Sequence, residues 1–317
     1  MSKPYLTIDQ QLKVLTDNKG LIVSDEDSAR EILTDIGYFS LIGGYKRSFI
    51  NPMTRKYEVR TTFEDILSLY RFDESLRQLT FGYLNRIEQK IQNLVADSFC
   101  STYGELQSFY LTPSSFSSKK AYARGIRKLI SILDNIANQN TDHEYLIHQR
   151  NTYGNVPLWV TTHAMTFGQL SNMYSFLNPR EKGKVSKHYQ HISEKELEQY
   201  LSALTLFRNT CAHKERLFSF RLRKRNFPDT VLHAKMNIPK KGTQYTQGKA
   251  DYFGLVIAFR YLLPRADFLT FKSSLKRLIE SYCKKNSRLS KGELLNEMGM
   301  PSVSHQLSGS FLLSKFL

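Results

Sequence analysis

A chain of 317 residues, 41% of them hydrophobic, can bury one large core or two small ones without an outside staple. Its three cysteines, Cys100, Cys211 and Cys283, form no close pair and leave an odd thiol, which argues against a disulfide framework and for a reducing, cytoplasmic compartment. Lysine and arginine outnumber aspartate and glutamate 45 to 29, and the formal charge of +16 would attract polyanions in a salt-dependent way.

In chain order, residues 1–12 include Lys3, Pro4, Asp9 and Gln10 and lack the apolar core of a secretory leader. Short amphipathic helices are expected over 9–16 and 24–36, the second opened by Ser24 with Asp27 and closed by Gly37. An aromatic and glycine mixture with Tyr38, Phe39, Gly44 and Tyr45 follows, then a turn at Asn51-Pro52 and a short extended piece at 56–60.

The clearest element starts at Thr62, with Asp65 three residues on. It carries Ile66, Tyr70, Leu76, Leu79, Tyr83, Ile87, Ile91 and Leu94 on helical spacing to about Phe99. Such a stripe must be covered by other helices, so the fold class is all-α, a helical bundle.

A polar loop over 101–118 should lead to a helix over 119–138, with a break at 151–157. Further helices are expected over 159–177, after Pro179, and from Ser193, where Glu196 completes a capping box. Residues 216–248 read as an exposed basic connection punctuated by Pro228, Pro239 and Gly242. Helices resume over 249–263 and 267–285, ahead of a polar run at 284–291. The longest apolar stretch, 252–259, is cut by Arg260 well short of the roughly 20 residues of a membrane helix, so the reading is a soluble protein without a membrane partner.

Chemistry gathers at the end of the Ser193 helix, which turns Leu201, Leu204 and Phe207 or Cys211 towards a core. Asn209 and His213 are four apart on one face, and Arg208 is near enough for its long side chain to meet the same phosphate. RNA can be cut without metal when a base takes the 2′-hydroxyl proton, the freed oxygen attacks the adjacent phosphate and an acid protonates the leaving oxygen. Histidine titrates in the right range, arginine steadies phosphate charge, and asparagine orients. The route requires a 2′-hydroxyl and therefore RNA. No cofactor or metal is called for. The loose Arg-to-His spacing alone is weak, being expected about 1.5 times by chance in such a chain, and His213 taken by itself reads as a buried structural histidine.

Lys214, Arg216, Arg221, Arg223, Lys224 and Arg225 follow directly, interleaved with Phe218, Phe220 and Phe227, an arrangement suited to phosphate pairing beside base stacking. The alternative is a solvated loop anchored by its phenylalanines. His188 and His191 lack further ligands at metal spacing, and Cys211 reads as a small buried side chain rather than a nucleophile. Tyr38, Phe39 and Tyr45 read more readily as core packing than as base-stacking surfaces.

With Phe-Arg208-Asn209-Thr-Cys-Ala-His213 go Gly37-Tyr-Phe, Gly44-Tyr45, Tyr70-Arg-Phe-Asp73, Leu76-Arg77, Ile87-Glu88, Pro157-Leu-Trp159, Phe167-Gly168 and Met298-Gly-Met-Pro301. Together they resemble the abortive-infection (Abi) family of the AbiD and AbiF type, whose core is similar to the HEPN superfamily of helical ribonucleases. The resemblance implies phage defence or toxin-like activity and metal-independent endoribonuclease chemistry through Arg208, Asn209 and His213. It also implies Glu88 as an acid that aims Arg208, and a homodimer, since this chain has one motif and Arg150-Asn151 has no histidine in reach. It divides the chain into an N-terminal segment (1–61), a HEPN-like core (62–215), a basic loop (216–248) and C-terminal helices (249–317). Its other implication is a non-catalytic module that holds a structured regulatory RNA.

Overall fold

A computed structural model describes residues 4–285 and 288–301. The residues after 301, part of the polar run at 284–291, and Lys3 lie outside the described residues. Two short helices open the chain, α1 (Ile8–Lys13) and α2 (Glu26–Ile36). The cap of α2 is Asp25 rather than Ser24: its carboxylate accepts the Ser28 N–H. Gly37 ends α2 at φ +84°, a conformation costly for any other residue. Phe39–Gly43 then winds as one wide helical turn and Lys46–Phe49 as a tight one. The Asn51 side chain accepts the N–H groups of Met53 and Thr54 and forms the expected turn. The expected strand at 56–60 shrinks to a single bridge between Ile50 and Tyr57.

The central helix, α3 (Phe63–Tyr103), starts where the Thr62 hydroxyl accepts the Asp65 N–H and the Asp65 carboxylate accepts the Thr62 N–H. At 41 residues it is about 60 Å long. Its buried stripe includes Ile66, Leu76, Leu84, Ile87 and Ile91. α3 outruns the expected end at Phe99 by one turn, and α4 (Gln107–Tyr110) occupies part of the expected loop. Next come α5 (Ala123–Asp134), α6 (Glu144–Tyr153) and α7 (Leu158–Thr161).

The single helix expected over 159–177 is split. Thr166 and Gln169 form another reciprocal cap, so α8 (Phe167–Phe176) starts afresh after α7. α9 (Pro179–Ser186) and α10 (Glu194–Ala212) follow, α10 opened by the Ser193–Glu196 box. α13 (Arg265–Lys285), α9, α10 and α7 all pack on α3, which makes it the axis of an all-α bundle.

Residues 216–248 are a tethered surface rather than a free connection. Leu217, Phe218, Leu222, Phe227, His233 and Ile238 are buried while the cations between them point outwards. The Leu222 and Phe227 N–H groups donate to the Ala250 and Lys249 carbonyls. The segment also holds α11 (Val231–Lys235) and a two-stranded hairpin, β1 (Lys240–Lys241) with β2 (Gln244–Tyr245). α12 (Tyr252–Leu262) is capped by buried Asp251, whose carboxylate accepts from Gly248 and Gly254. The turn after α14 (Lys291–Glu297) packs on Asp251 so closely that a Cβ at Gly299, itself at φ +74°, would lie 2.2 Å from its Cγ. That contact gives the Met298-Gly-Met-Pro301 string a packing reason. Among the described residues, no helix is long and apolar enough to cross a membrane.

Candidate functional site

α10 turns Leu197, Leu201, Leu204 and Phe207 inwards, against α8, α3, α9 and α12. Cys211 continues that stripe, and burial pushes its thiol up to about 12, which keeps it protonated and unreactive at neutral pH. The helix ends in a Schellman motif: the Lys214 N–H donates to the Cys211 carbonyl and the Glu215 N–H to the Thr210 carbonyl. Lys214 takes the left-handed position at φ +57°, where glycine is usual. His213 is the cap residue, and it and Asn209 are exposed, one turn apart, on the end of α10.

Arg208 leans onto α3. Its Cζ lies 5.6 Å from the Phe81 ring centroid, and its Nε lies 3.4 Å from Glu88 Oε2. The pair is within ion-pair reach, but Nε is buried without an aligned hydrogen-bond acceptor. Glu88 is only 11% exposed at its side chain, against 28% for Arg208, so it is not a freely solvated helix charge. Burial raises the Glu88 carboxyl above its ordinary value, and the nearby Arg208 charge works against that rise. No hydrogen bond joins the side chains of Arg208, Asn209 and His213 to one another among the described residues. The arrangement is thus an anchored cation beside an exposed amide and imidazole.

A buried polar network holds the chain just past His213, and the sequence reasoning did not foresee it. Asp73 on α3 is fully buried, and its carboxylate accepts four hydrogen bonds: from Tyr45 Oη (2.7 Å), Arg77 Nη1 (2.7 Å), and the N–H groups of Leu217 (2.9 Å) and Phe218 (2.7 Å). Arg77 also donates to Tyr45 and to the Glu215 carbonyl. The Tyr45 ring packs edge-on to Tyr70 and stacks with Phe218. Tyr70-Arg-Phe-Asp73, Arg77 and Gly44-Tyr45 therefore meet at one place, behind the end of α10.

The basic run divides. Arg216 donates to the Gly44 carbonyl, Arg221 to the Glu297 and Phe220 carbonyls, and Arg225 to the Ser202 carbonyl. Lys214, Arg223 and Lys224 are exposed. Base stacking by Phe218 and Phe227 is ruled out by their burial, each 1% exposed: Phe227 stacks on Phe207, and half-buried Phe220 meets the same ring edge-on. Tyr45 belongs to the core, whereas Phe39 is exposed. His188 and His191 are both exposed. Arg150 donates to the Ala137 and Asn140 carbonyls and ties its own loop.

No curated protein and no solved structure matches the chain. A family model described as Abi-like protein matches residues 31–219, well over half of the sequence, and spans α3, Glu88, the Asp73 network and the whole Arg208-to-His213 string. The chain belongs to the Abi-like protein family.

Proposed function

We propose that the protein is a metal-independent endoribonuclease of phage defence, with His213 moving protons, Arg208 neutralising the scissile phosphate and Asn209 positioning it. Membership in the Abi-like family supports the phage-defence role. The observation that carries the chemistry is the end of α10: exposed Asn209 and His213 one turn apart, with Arg208 held on α3 between Phe81 and Glu88. In the reaction, His213 takes the 2′-hydroxyl proton, the 2′-oxygen forms a bond to phosphorus, and the bond to the 5′-oxygen breaks. The products are a 2′,3′-cyclic phosphate and a 5′-hydroxyl. Protonation of the leaving oxygen calls for a second acid, which a second copy facing this open surface would bring as its own imidazole. A homodimer completes the site in this reading, and the RNA is its substrate.

The second reading is a module that holds a structured RNA without cutting it, favoured by the missing hydrogen bonds among the three motif side chains. The deciding experiment incubates purified wild type and His213→Ala with labelled RNA in EDTA, scoring fragments, their end groups and retained binding. Cleavage by wild type alone, with cyclic phosphate ends, is expected. Equal binding without cleavage by either protein would transfer the assignment to the second reading.

A further inference from the structure

Away from His213, a cleft of about 980 Å³ opens between α9, the first half of α10 and the segment 224–229, with Lys119 and Tyr122 on its rim. Six of its lining side chains are cations and three are carboxylates. Lys182 is paired with Glu198, and Lys249 with Asp229. Lys119, Lys195, Lys224 and Arg225 are left facing Glu194 alone. All four are exposed, and Lys119, Lys195 and Lys224 have no carboxylate partner among the described residues. Half-buried Tyr122 adds an aromatic face, with Lys119 Nζ 5.4 Å from its ring centroid.

Excess positive charge in a concave wall attracts a polyanion, and an aromatic ring beside it offers a base a place to stack. The cleft has the volume of a large small-molecule pocket, room for a short piece of single strand and not for a duplex. Ser202, the lining residue of α10 nearest His213, precedes it on the same helix by eleven residues, about 16 Å along the axis. At about 3.4 Å per stacked nucleotide, that distance is about five nucleotides.

We infer that this cleft is a docking site for the phosphodiester backbone of single-stranded RNA, its near edge about five nucleotides from the bond at His213. The inference rests on the RNA reading above and adds Lys119, Lys195 and the cleft to it. The site grips the strand and leaves the chemistry to the end of α10, so strand length governs affinity. Phosphates carry the grip, so single-stranded DNA binds the same cleft without being cut.

The test measures fluorescence anisotropy of a labelled mononucleotide, of labelled 4- and 12-nucleotide RNA and of 12-nucleotide single-stranded DNA. The proteins are full-length wild type and a Lys119→Gln, Lys195→Gln, Lys224→Gln variant, with thermal melts confirming the fold. Wild type should bind both 12-mers alike and the 4-mer more weakly. The variant should lose about tenfold for the 12-mers in 0.1 M salt, and its slope of log affinity against log salt should be shallower by about two, three phosphate contacts at about 0.7 each. Unchanged 12-mer affinity and slope in the variant, while wild type binds and cuts RNA, would overturn the cleft assignment alone. A mononucleotide binding wild type as tightly as the 12-mer would replace the strand site by a nucleotide pocket. Wild type that neither binds nor cuts RNA would overturn the RNA reading, and this inference with it.

Discussion

Replacing Asp73 by alanine tests what holds the segment after the motif. The change strands Arg77, whose side chain is 6% exposed, and removes the acceptor of the Leu217 and Phe218 N–H groups. Breaking a buried ion pair by deleting one partner costs about 3–5 kcal/mol. Each orphaned buried donor adds about 1–3 kcal/mol where water cannot replace the acceptor. Such terms overlap, so the expected loss is about 5 kcal/mol, a large share of the 5–15 kcal/mol typical of a domain. Asp73→Leu with Arg77→Leu removes both charges and still orphans the two amides and the Tyr45 hydroxyl. It should therefore sit between wild type and the single variant, about 3 kcal/mol down. Urea unfolding gives the stabilities, and hydrogen exchange at Leu217 and Phe218 gives the local effect. A single variant within 1 kcal/mol of wild type, with both amides still protected, would refute the clamp.

Glu88→Gln keeps the shape beside Arg208 and removes its counter-charge. The expected result is RNA cleavage down about tenfold with melting temperature nearly unchanged and Glu88→Asp partly restoring the rate. Equal rates in wild type and Glu88→Gln would leave Glu88 without a positioning role. His233 gives a pH effect on stability. Its Nδ1 accepts the Thr230 N–H while Nε2 donates to the Gly248 carbonyl, so the buried ring is neutral, and burial lowers its pKa. The unfolded imidazole titrates near 6.5 and binds more protons than the folded one below that value. Stability from His233 is thus present above about pH 6.5 and lost as pH falls towards the folded value, at up to about 1.4 kcal/mol per pH unit. Denaturant midpoints of wild type between pH 7 and 5 should fall more steeply than those of His233→Gln, and parallel curves would contradict the buried neutral ring.

Elements with local causes were legible in the sequence. Thr62 with Asp65 and Ser193 with Glu196 sit three residues apart and start α3 and α10 where that spacing puts them. Thr166 with Gln169 obeys the same rule, but an apolar run on both sides of it reads as one helix from the pattern alone. Contacts that cross the chain were not legible from periodicity. Glu88 and Arg208 are 120 positions apart, and only the resemblance joined them. Asp73 and Arg77, four apart on a helix whose stripe is otherwise apolar, were the overlooked signal: a carboxylate and a guanidinium on a buried face must satisfy each other and something else. The basic run misled in one respect. Its cations are on the surface as charge dictates, but the phenylalanines between them serve the core, because burying an aromatic ring gains more than offering it to solvent.

The end of α10 is held from a distance. Lys214 occupies a backbone region that costs a non-glycine residue about 1 kcal/mol, and local preference alone would not choose it. What fixes it lies on both sides: the buried stripe of α10 up to Cys211, and the network in which Arg77 holds the Glu215 carbonyl and Asp73 the next amides. Tyr45 closes that network, and Arg216 reaches back to the Gly44 carbonyl. The aromatic turn near the start of the chain thus packs behind the segment that follows His213. The same docking explains why strings as scattered as Gly44-Tyr45, Asp73 and Arg77 accompany the Arg208-to-His213 motif: they are the mount on which its imidazole is set.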